Sequence, residues 1–212
     1  PGGEGLVQLV LDAPLAASVG DRYILRDVSA RRTIGGGVFV DLRAPARRRR
    51  TPERMLQLAA AAQPDAEKAL RAMLAAPPLL VDLGVFIRDR ALGPDAAARL
   101  AGATVVLDAG GSNVAVSAAT HGSLVAGMLD TLARFHEEAP EMQGPGREKL
   151  RLALTPRLPK DAFAVLLSER IAAGDVVAEG SFLRLPTHIV RLSEADEALY
   201  SRILPELSGE AR

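Results

Sequence analysis

The chain reads as a protein of mixed class: a short antiparallel β-segment followed by tandem α+β winged-helix domains in an elongated array. Three observations predict this. Branched and aromatic residues cluster at 5–12, 22–26 and 33–42, with Pro and Gly between the first two, which is the signature of strands and turns. From residue 51 onward, apolar residues fall at helical spacing between Pro and Gly breaks. Twice, a run of helices is followed by two short branched segments flanking glycine, the mark of a hairpin packed beside a helix-turn-helix unit.

Composition sets limits on function. The 212 residues are 48% hydrophobic but only 3% aromatic, so alanine and leucine carry the core, as in a helix-rich protein. There is no Cys, which removes disulfides, thiolate metal sites and Cys nucleophiles. No uncharged apolar run is long enough to span a membrane, and the start, PGGEGLVQ, lacks the basic and apolar regions of a signal peptide. Lys plus Arg and Asp plus Glu are both 26, giving zero formal charge, so any nucleic-acid contact must be local. The local excess lies at Arg43, Arg47, Arg48, Arg49, Arg50 and Arg54, opposed in sequence only by Glu53.

Each element has its own signal. LVQLVL (within 5–12), RYILR (22–26) and the segment 33–42 are expected as strands, too few to bury a stable sheet unaided. Thr51-Pro52-Glu53 opens a helix, Thr as N-cap and Pro at the first turn, with Met55, Leu56 and Leu58 on its apolar side. A second helix over 65–76 presents Leu70, Met73 and Leu74 and stops at Pro77-Pro78. Two short helical segments follow within 81–102, separated by Leu92-Gly93-Pro94. Residues 104–107 and 114–117 form a hairpin around Gly110-Gly111-Ser112, and 118–138 is a long helix with Leu124, Val125, Met128, Leu129, Leu132 and Phe135 on one face. The pattern then recurs in shorter form. Helices are expected over 147–154 and 159–173, the latter with Phe163, Leu166, Leu167 and Ile171 inward, and a hairpin over 175–185 turns at Glu179-Gly180. Ser193-Glu194-Ala195-Asp196 resembles a capping box and starts a last helix with Leu199 and Ile203 apolar.

The stretch RYILRDVSARRTIGGGVFVDL, residues 22–42, resembles the end of the third domain of translation GTPases of the elongation factor Tu type. There an Arg-Thr-Val-Gly-x-Gly-Val strand closes a β-barrel; here the residues are Arg32-Thr33-Ile34 and Gly35-Gly36-Gly37-Val38. Arg26-Asp27 and Ser29-Ala30 precede Arg32-Thr33 with the spacing of the bacterial selenocysteine-specific branch, SelB. FHEEAP with GPGREKLR, and GSFLRLP over 180–186, extend the resemblance to the C-terminal part of that family. The fold it implies is a partial antiparallel β-barrel segment, the end of translation-factor domain III, over 1–44, truncated at its N-terminal side. An Arg-rich linker and helix (45–63), a first winged helix (64–139), a second (140–192) and the first helix of a truncated third (193–212) complete the expected division.

The resemblance also implies function. The family delivers selenocysteinyl-tRNA to UGA codons in a GTP-dependent way and is recruited by an mRNA hairpin, held chiefly by a last winged helix expected beyond Arg212. GTP and magnesium belong to the full-length factor; this segment is expected to hold no cofactor and to be no enzyme itself. Its partners are then selenocysteine tRNA, the ribosome and the mRNA selenocysteine-insertion hairpin, with no membrane, and it is expected to be cytoplasmic and monomeric. Its own role is to link the tRNA-binding body to the mRNA-binding tip.

The candidate chemistry is RNA contact. Arg31, Arg32 and Thr33 are placed by the resemblance near the tRNA backbone, where a guanidinium fork suits phosphate; an ion pair with Asp27 or Asp21, or solvation, is the other reading. Arg47, Arg48, Arg49 and Arg50 either grip RNA or form a solvated charged face. Gly35-Gly36-Gly37 lacks the following Gly-Lys-Ser/Thr of a phosphate cradle and is better read as close backbone packing or a bulge in a barrel strand. The helix after Gly93 is poor in base-reading donors, with Arg99 alone among Asp95, Ala96, Ala97 and Ala98, which counts against a winged-helix DNA-binding transcriptional regulator. A pure protein-interaction or ribosome-docking module is a third possibility. His121, His136 and His188 lie far apart in sequence and have no metal motif; His121 is read as helping to start a helix and His136 as ending one, where a cation suits the dipole. Small-angle scattering of the chain tests the expected array: the pair-distance distribution should be that of an elongated particle, and a compact globe contradicts it.

Overall fold

The computed structural model describes residues 2–192 and 194–207. The chain divides into two compact units, Pro1–Thr120 and His121–Arg212. Among the described residues, no helix is long and apolar enough to cross a membrane.

The first unit opens with β1 (Arg22–Arg26) paired antiparallel to β2 (Thr33–Val38). The register shifts between Leu25 and Arg26, so the ladder bulges where the chain enters the polar loop. No closed barrel forms, and residues 5–12, expected as a strand, adopt no regular structure. A strand exists only through pairing, and among the described residues no segment supplies a ladder for them. Leu6, Val7, Val10 and Leu11 are accordingly exposed. β2 ends at Val38, short of the expected residue 42, although Phe39 still donates its N–H to Asp21 O at 2.9 Å.

Two of the three glycines are explained by Tyr23. A Cβ on Gly36 would stand 2.7 Å from the Tyr23 carbonyl oxygen, and one on Gly37 2.7 Å from the Tyr23 hydroxyl. The Tyr23 ring fills the space that side chains on β2 would take, and packs on Phe39 with centroids 4.8 Å apart. Gly36 and Gly37 are therefore closely packed within the strand, whereas a Cβ on Gly35 would meet nothing within 4 Å.

α1 (Pro52–Ala61) starts where the Thr51 hydroxyl accepts from Arg54 N–H, with Pro52 in the first turn. Its expected apolar side is only partly its buried side: Met55 and Leu56 are exposed, Leu58 is half-buried, and Ala60 is the residue enclosed. Gln57 takes the inward role. Its amide nitrogen donates to the carbonyls of Met73, Ala76 and Pro77 at 2.8–3.0 Å. These are carbonyls at and beyond the end of α2 (Ala66–Ala75), so one side chain ties α1 to the end of that helix, where Met73 O and Ala76 O each also accept a backbone N–H. Asp65 caps the other end of α2, accepting from Lys68 N–H at 2.7 Å.

The remainder of this unit is a winged helix. β3 (Leu80–Asp82), α3 (Leu83–Asp89), α4 (Pro94–Gly102), β4 (Val105–Asp108) and β5 (Asn113–Val116) follow α2 in order. The sheet order is β3-β5-β4, all antiparallel, with Val81 opposite Ala115. β3 is the strand that the sequence pattern did not reveal: three residues between Pro77-Pro78 and the Asp82 cap are too few to display a period. Leu70, Leu74, Leu83, Phe86, Leu100 and Ala115 close the core between helices and sheet. Asp108 accepts from Gly110 N–H at 2.8 Å to shape the wing turn.

α5 (Ala118–Glu138) is capped by Ser117, whose hydroxyl accepts from Thr120 N–H at 3.0 Å. His121, read as helping to start this helix, lies in its first turn, and the cap is Ser117. The second unit contains α6 (Arg147–Ala153), α7 (Lys160–Ala172), and the hairpin of β6 (Val177–Glu179) and β7 (Phe182–Arg184). Gly180, with φ of 58°, makes the turn. Leu150, Leu158, Phe163, Leu166, Val176 and Leu183 are buried, whereas Ile171, expected inward, is 36% exposed near the end of α7. α8 (Glu194–Leu207) follows, with Leu199 and Ile203 on its surface. Ser193, the expected capping residue, lies outside the described residues.

In this unit a single bridge stands where the first has β3. Gly146 pairs with Phe182, and Leu183 N–H donates to Pro145 O at 3.0 Å. The approach is so close that a Cβ on Gly144, whose φ is 151°, would lie 1.9 Å from the Leu183 carbonyl oxygen. Gly144→Ala should therefore lose about 3 kcal/mol, from overpacking and a backbone angle closed to alanine. Gly146→Ala, where a Cβ meets Ser181 O at an ordinary 3.8 Å, should lose about 1 kcal/mol or less as a helix cap. Urea unfolding of both variants checks the pair; equal losses contradict the close-approach argument.

Candidate nucleic-acid interface

The loop between β1 and β2 is organised around one carboxylate. Asp27 Oδ1 accepts from the backbone N–H of Arg31 at 2.9 Å and of Arg32 at 3.2 Å, while Oδ2 accepts from the Ser29 hydroxyl at 2.9 Å. Asp27 N–H donates back to Arg32 O at 2.9 Å, and Ala30 turns the chain with φ of 55°. The Arg32 N–H, then the Ser29 hydroxyl, hold the Asp27 carboxyl below its ordinary pKa of 3.8; the Arg31 N–H adds to this and partial burial opposes it. Asp27 is thus spent on backbone donors. Asp21 is spent likewise, accepting from Ser18 N–H at 2.7 Å. Among the described residues, neither Arg31 nor Arg32 has an ion-pair partner, and both are exposed beside Thr33, the first residue of β2. The ion pair weighed from sequence does not form.

The arginine cluster at 43–54 separates into two groups. Arg43 lays its fork on Asp89, Nε to Oδ2 at 2.9 Å and Nη2 to Oδ1 at 2.8 Å. The hydrogen bond to Asp89, then its charge, raises the Arg43 pKa. Arg54 pairs with Asp41. Both are structural clips. Arg47, Arg48, Arg49 and Arg50 lie between them, exposed on a turn in which Arg48 has φ of 55° and Arg49 Nε donates to Ala46 O at 3.1 Å. Among the described residues none of these four has an acidic partner. Four guanidiniums on one turn and two on another are thereby left with their charge unneutralised. Among the described residues, no hydrogen bond or ion pair joins the two groups.

The helices that would read bases are different in character. α4 presents Asp95, Ala98 and Arg99 to solvent, and Arg99 lies 3.8 Å from Glu67, a weak exposed pair. On α7, Arg170 is held by Asp175 at 3.2 Å. Among the described residues no group of three or more His, Asp or Glu could hold a metal ion.

The histidines depart from their sequence reading. His136 and His188 stack face to face, centroids 3.7 Å apart and planes 8° from parallel. His136 is buried, and burial, then the charges of His188 and Arg184, lowers its pKa. It is a neutral ring at the end of α5 rather than a dipole-matched cation. Sequence distance concealed the pairing, and no local signal marks it.

Residues 3–46 match the family described as "Selenocysteine-specific elongation factor, beta-barrel domain", and residues 129–185 that described as "Elongation factor SelB, winged helix". The chain is 35% identical over 212 residues to the selenocysteine-specific elongation factor of Escherichia coli (strain K12), an alignment covering 98% of this chain and 33% of that protein. It is 25% identical over 209 residues to that of Desulfomicrobium baculatum, covering 94% of this chain and 32% of the relative. The chain thus spans about a third of the length of the curated relatives it matches. Two different domains of one factor, in the order β-segment then winged helix, agree with an alignment that runs through nearly every residue between them. The chain is thus similar to selenocysteine-specific elongation factors in two of their domains and along nearly its whole length, and the matches support its reading as a C-terminal fragment of SelB.

Proposed function

We propose that this segment serves a factor that delivers selenocysteinyl-tRNA to UGA codons in a GTP-dependent way, and that it links the tRNA-holding body to the mRNA-holding tip. The alignment with the Escherichia coli relative across 98% of the chain carries this reading. GTP and magnesium belong to other parts of the full-length factor, and the segment has no catalytic step of its own. It works in the cytoplasm as a monomer, beside selenocysteine tRNA, the ribosome and the mRNA hairpin. With it we propose the division read from the sequence: β-segment over 1–44, Arg-rich linker and helix over 45–63, winged helices over 64–139 and 140–192, and residues 193–212 apart from them.

Within that role, Arg31, Arg32, Thr33, Arg47, Arg48, Arg49 and Arg50 are the RNA-contacting residues. What supports this is that Asp27, Asp21, Asp89 and Asp41 are each satisfied elsewhere. Phosphate can therefore bind these guanidiniums without first breaking an internal ion pair, and the planar fork donates two hydrogen bonds to it. A winged-helix DNA-binding regulator is the other reading, and the fold alone does not favour it. α4 offers alanines and acid where a major-groove helix needs donors.

Two measurements test these assignments. Binding of the chain to selenocysteine tRNA and to generic duplex DNA, at several salt concentrations, should favour the tRNA. Replacing Arg47, Arg48, Arg49 and Arg50 together by Ala should flatten the slope of log affinity against log salt by about 3, at close to one counterion per phosphate. An unchanged slope removes these four from the interface, and stronger binding to DNA reverses the choice of partner. Asp27→Ala is the second test. It removes a negative charge beside the phosphates, which by charge alone tightens binding. Loss of the ordered loop should instead weaken tRNA binding about fivefold, the cost of fixing about one residue's backbone on binding. Tighter binding by this variant refutes the presentation of Arg31 and Arg32 by Asp27.

A further inference from the structure

The connector that leaves β7, residues 185–192, is mostly exposed, with Leu185 and His188 half-buried. Ile189 is 71% exposed, Val190 43% and Leu192 49%, so apolar packing does not fix its course. Polar contacts do. Leu185 N–H donates to His136 Nε2 at 3.2 Å, and His188 Nε2 meets Met142 O at 2.9 Å while its ring stacks on His136. Arg184 Nη1 donates to the carbonyls of Leu185 and His188 at 3.3 Å each, and Arg191 N–H donates to Pro140 O at 3.0 Å.

From this geometry we infer that the His136–His188 stack is an acid-released clasp, which ties the connector to the end of α5 while His136 is neutral and frees it on protonation. The reason is the direction of one bond. Leu185 can donate to Nε2 only while that nitrogen carries a lone pair. A proton there sets donor against donor, and the imidazolium has no acceptor in reach: Nδ1 is buried without a partner. The charges around it oppose the proton as well. His188 faces it from the connector. Arg184 faces it from β7, its own charge met by Glu179 of β6 at 2.5 Å. From α6, Lys149 lies 4.7 Å from the centre of the neighbouring Phe135 ring. Glu137, Glu138 and Glu141, next along the chain, are exposed to solvent. The sign follows. The folded clasp binds the proton less well than an open connector, so its hold is complete above the ordinary histidine range, near pH 6.5, and weakens as pH falls below it.

Amide hydrogen exchange of the whole chain at pH 7.5, 6.0 and 5.0, expressed as protection factors, tests the clasp. Leu185 and Arg191 should lose protection by up to about tenfold per pH unit below the histidine range, the limit for one proton. Leu166 in α7 and Leu183 in β7 should hold theirs. The chemical shift of the His136 Cε1 proton should titrate over the same pH interval. In His136→Gln, whose side-chain oxygen accepts at every pH, the acid loss should vanish. Level protection at Leu185 down to pH 5.0, titration of His136 without loss at Leu185, or the same acid loss in His136→Gln overturns the proposal. Should His136→Gln not fold, the match or mismatch between the His136 titration and Leu185 exchange in the unaltered chain decides alone.

Discussion

Asp89 is the joint on which the first unit depends. Its carboxylate takes both nitrogens of the Arg43 fork, and its carbonyl accepts from Val19 N–H at 2.7 Å. β1 and β2 together are a two-stranded ribbon, and such a ribbon buries too little to hold itself in place. Attachment at both flanks, Val19 before β1 and Arg43 after β2, converts it from a free hairpin into part of a packed unit. The Arg54 to Asp41 pair and the Gln57 amide extend the same logic to α1. Polar clips do here what a larger apolar interface does elsewhere. The presentation of the Asp27 loop follows from them, because a loop is ordered only as well as the strands that carry it.

The two winged helices solve one problem in different ways. In each, a hairpin needs something along its open edge. The first unit supplies a strand, β3, three residues long and paired in register with β5. The second supplies Gly144, Pro145 and Gly146, which make one bridge to β7, carried by the hydrogen bond from Leu183 N–H to Pro145 O. The shorter device demands a closer approach, and so places on residue 144 a restriction that no residue of β3 bears.

Much of this was legible from residues alone, and the misses share a cause. Thr51 and the Pro and Gly breaks announced helix ends because capping is local chemistry, whereas Asp65, read as the first residue of its helix, is the cap. The close packing of Gly36 and Gly37 was readable, although that Tyr23 filled the space was not. The fates of Arg43 and Arg54 were illegible, since Asp89 and Asp41 belong to other elements and only the fold brings them near. The same holds for Asp27: its sequence neighbours suggested a guanidinium partner, whereas the turn aims backbone N–H groups at it. His136 and His188 show the limit most clearly, two lone rings with unremarkable flanks that meet only after the second hairpin has folded back. On α1, periodicity named Met55, Leu56 and Leu58; Leu58 is half-buried as expected, but Met55 and Leu56 are exposed while Gln57 reaches the carbonyls at the end of α2 and Ala60 is enclosed.

The connector after β7 has a mechanical property of its own. Buried surface yields gradually when pulled, since contact is lost a little at a time. Directional bonds and a ring stack yield abruptly, because each is spent within about an ångström of displacement. A tether of this kind stays stiff under thermal jostling and then gives way at once under load, so tension arriving through α8 would reach the rest of the unit undiminished up to a threshold and scarcely at all beyond it.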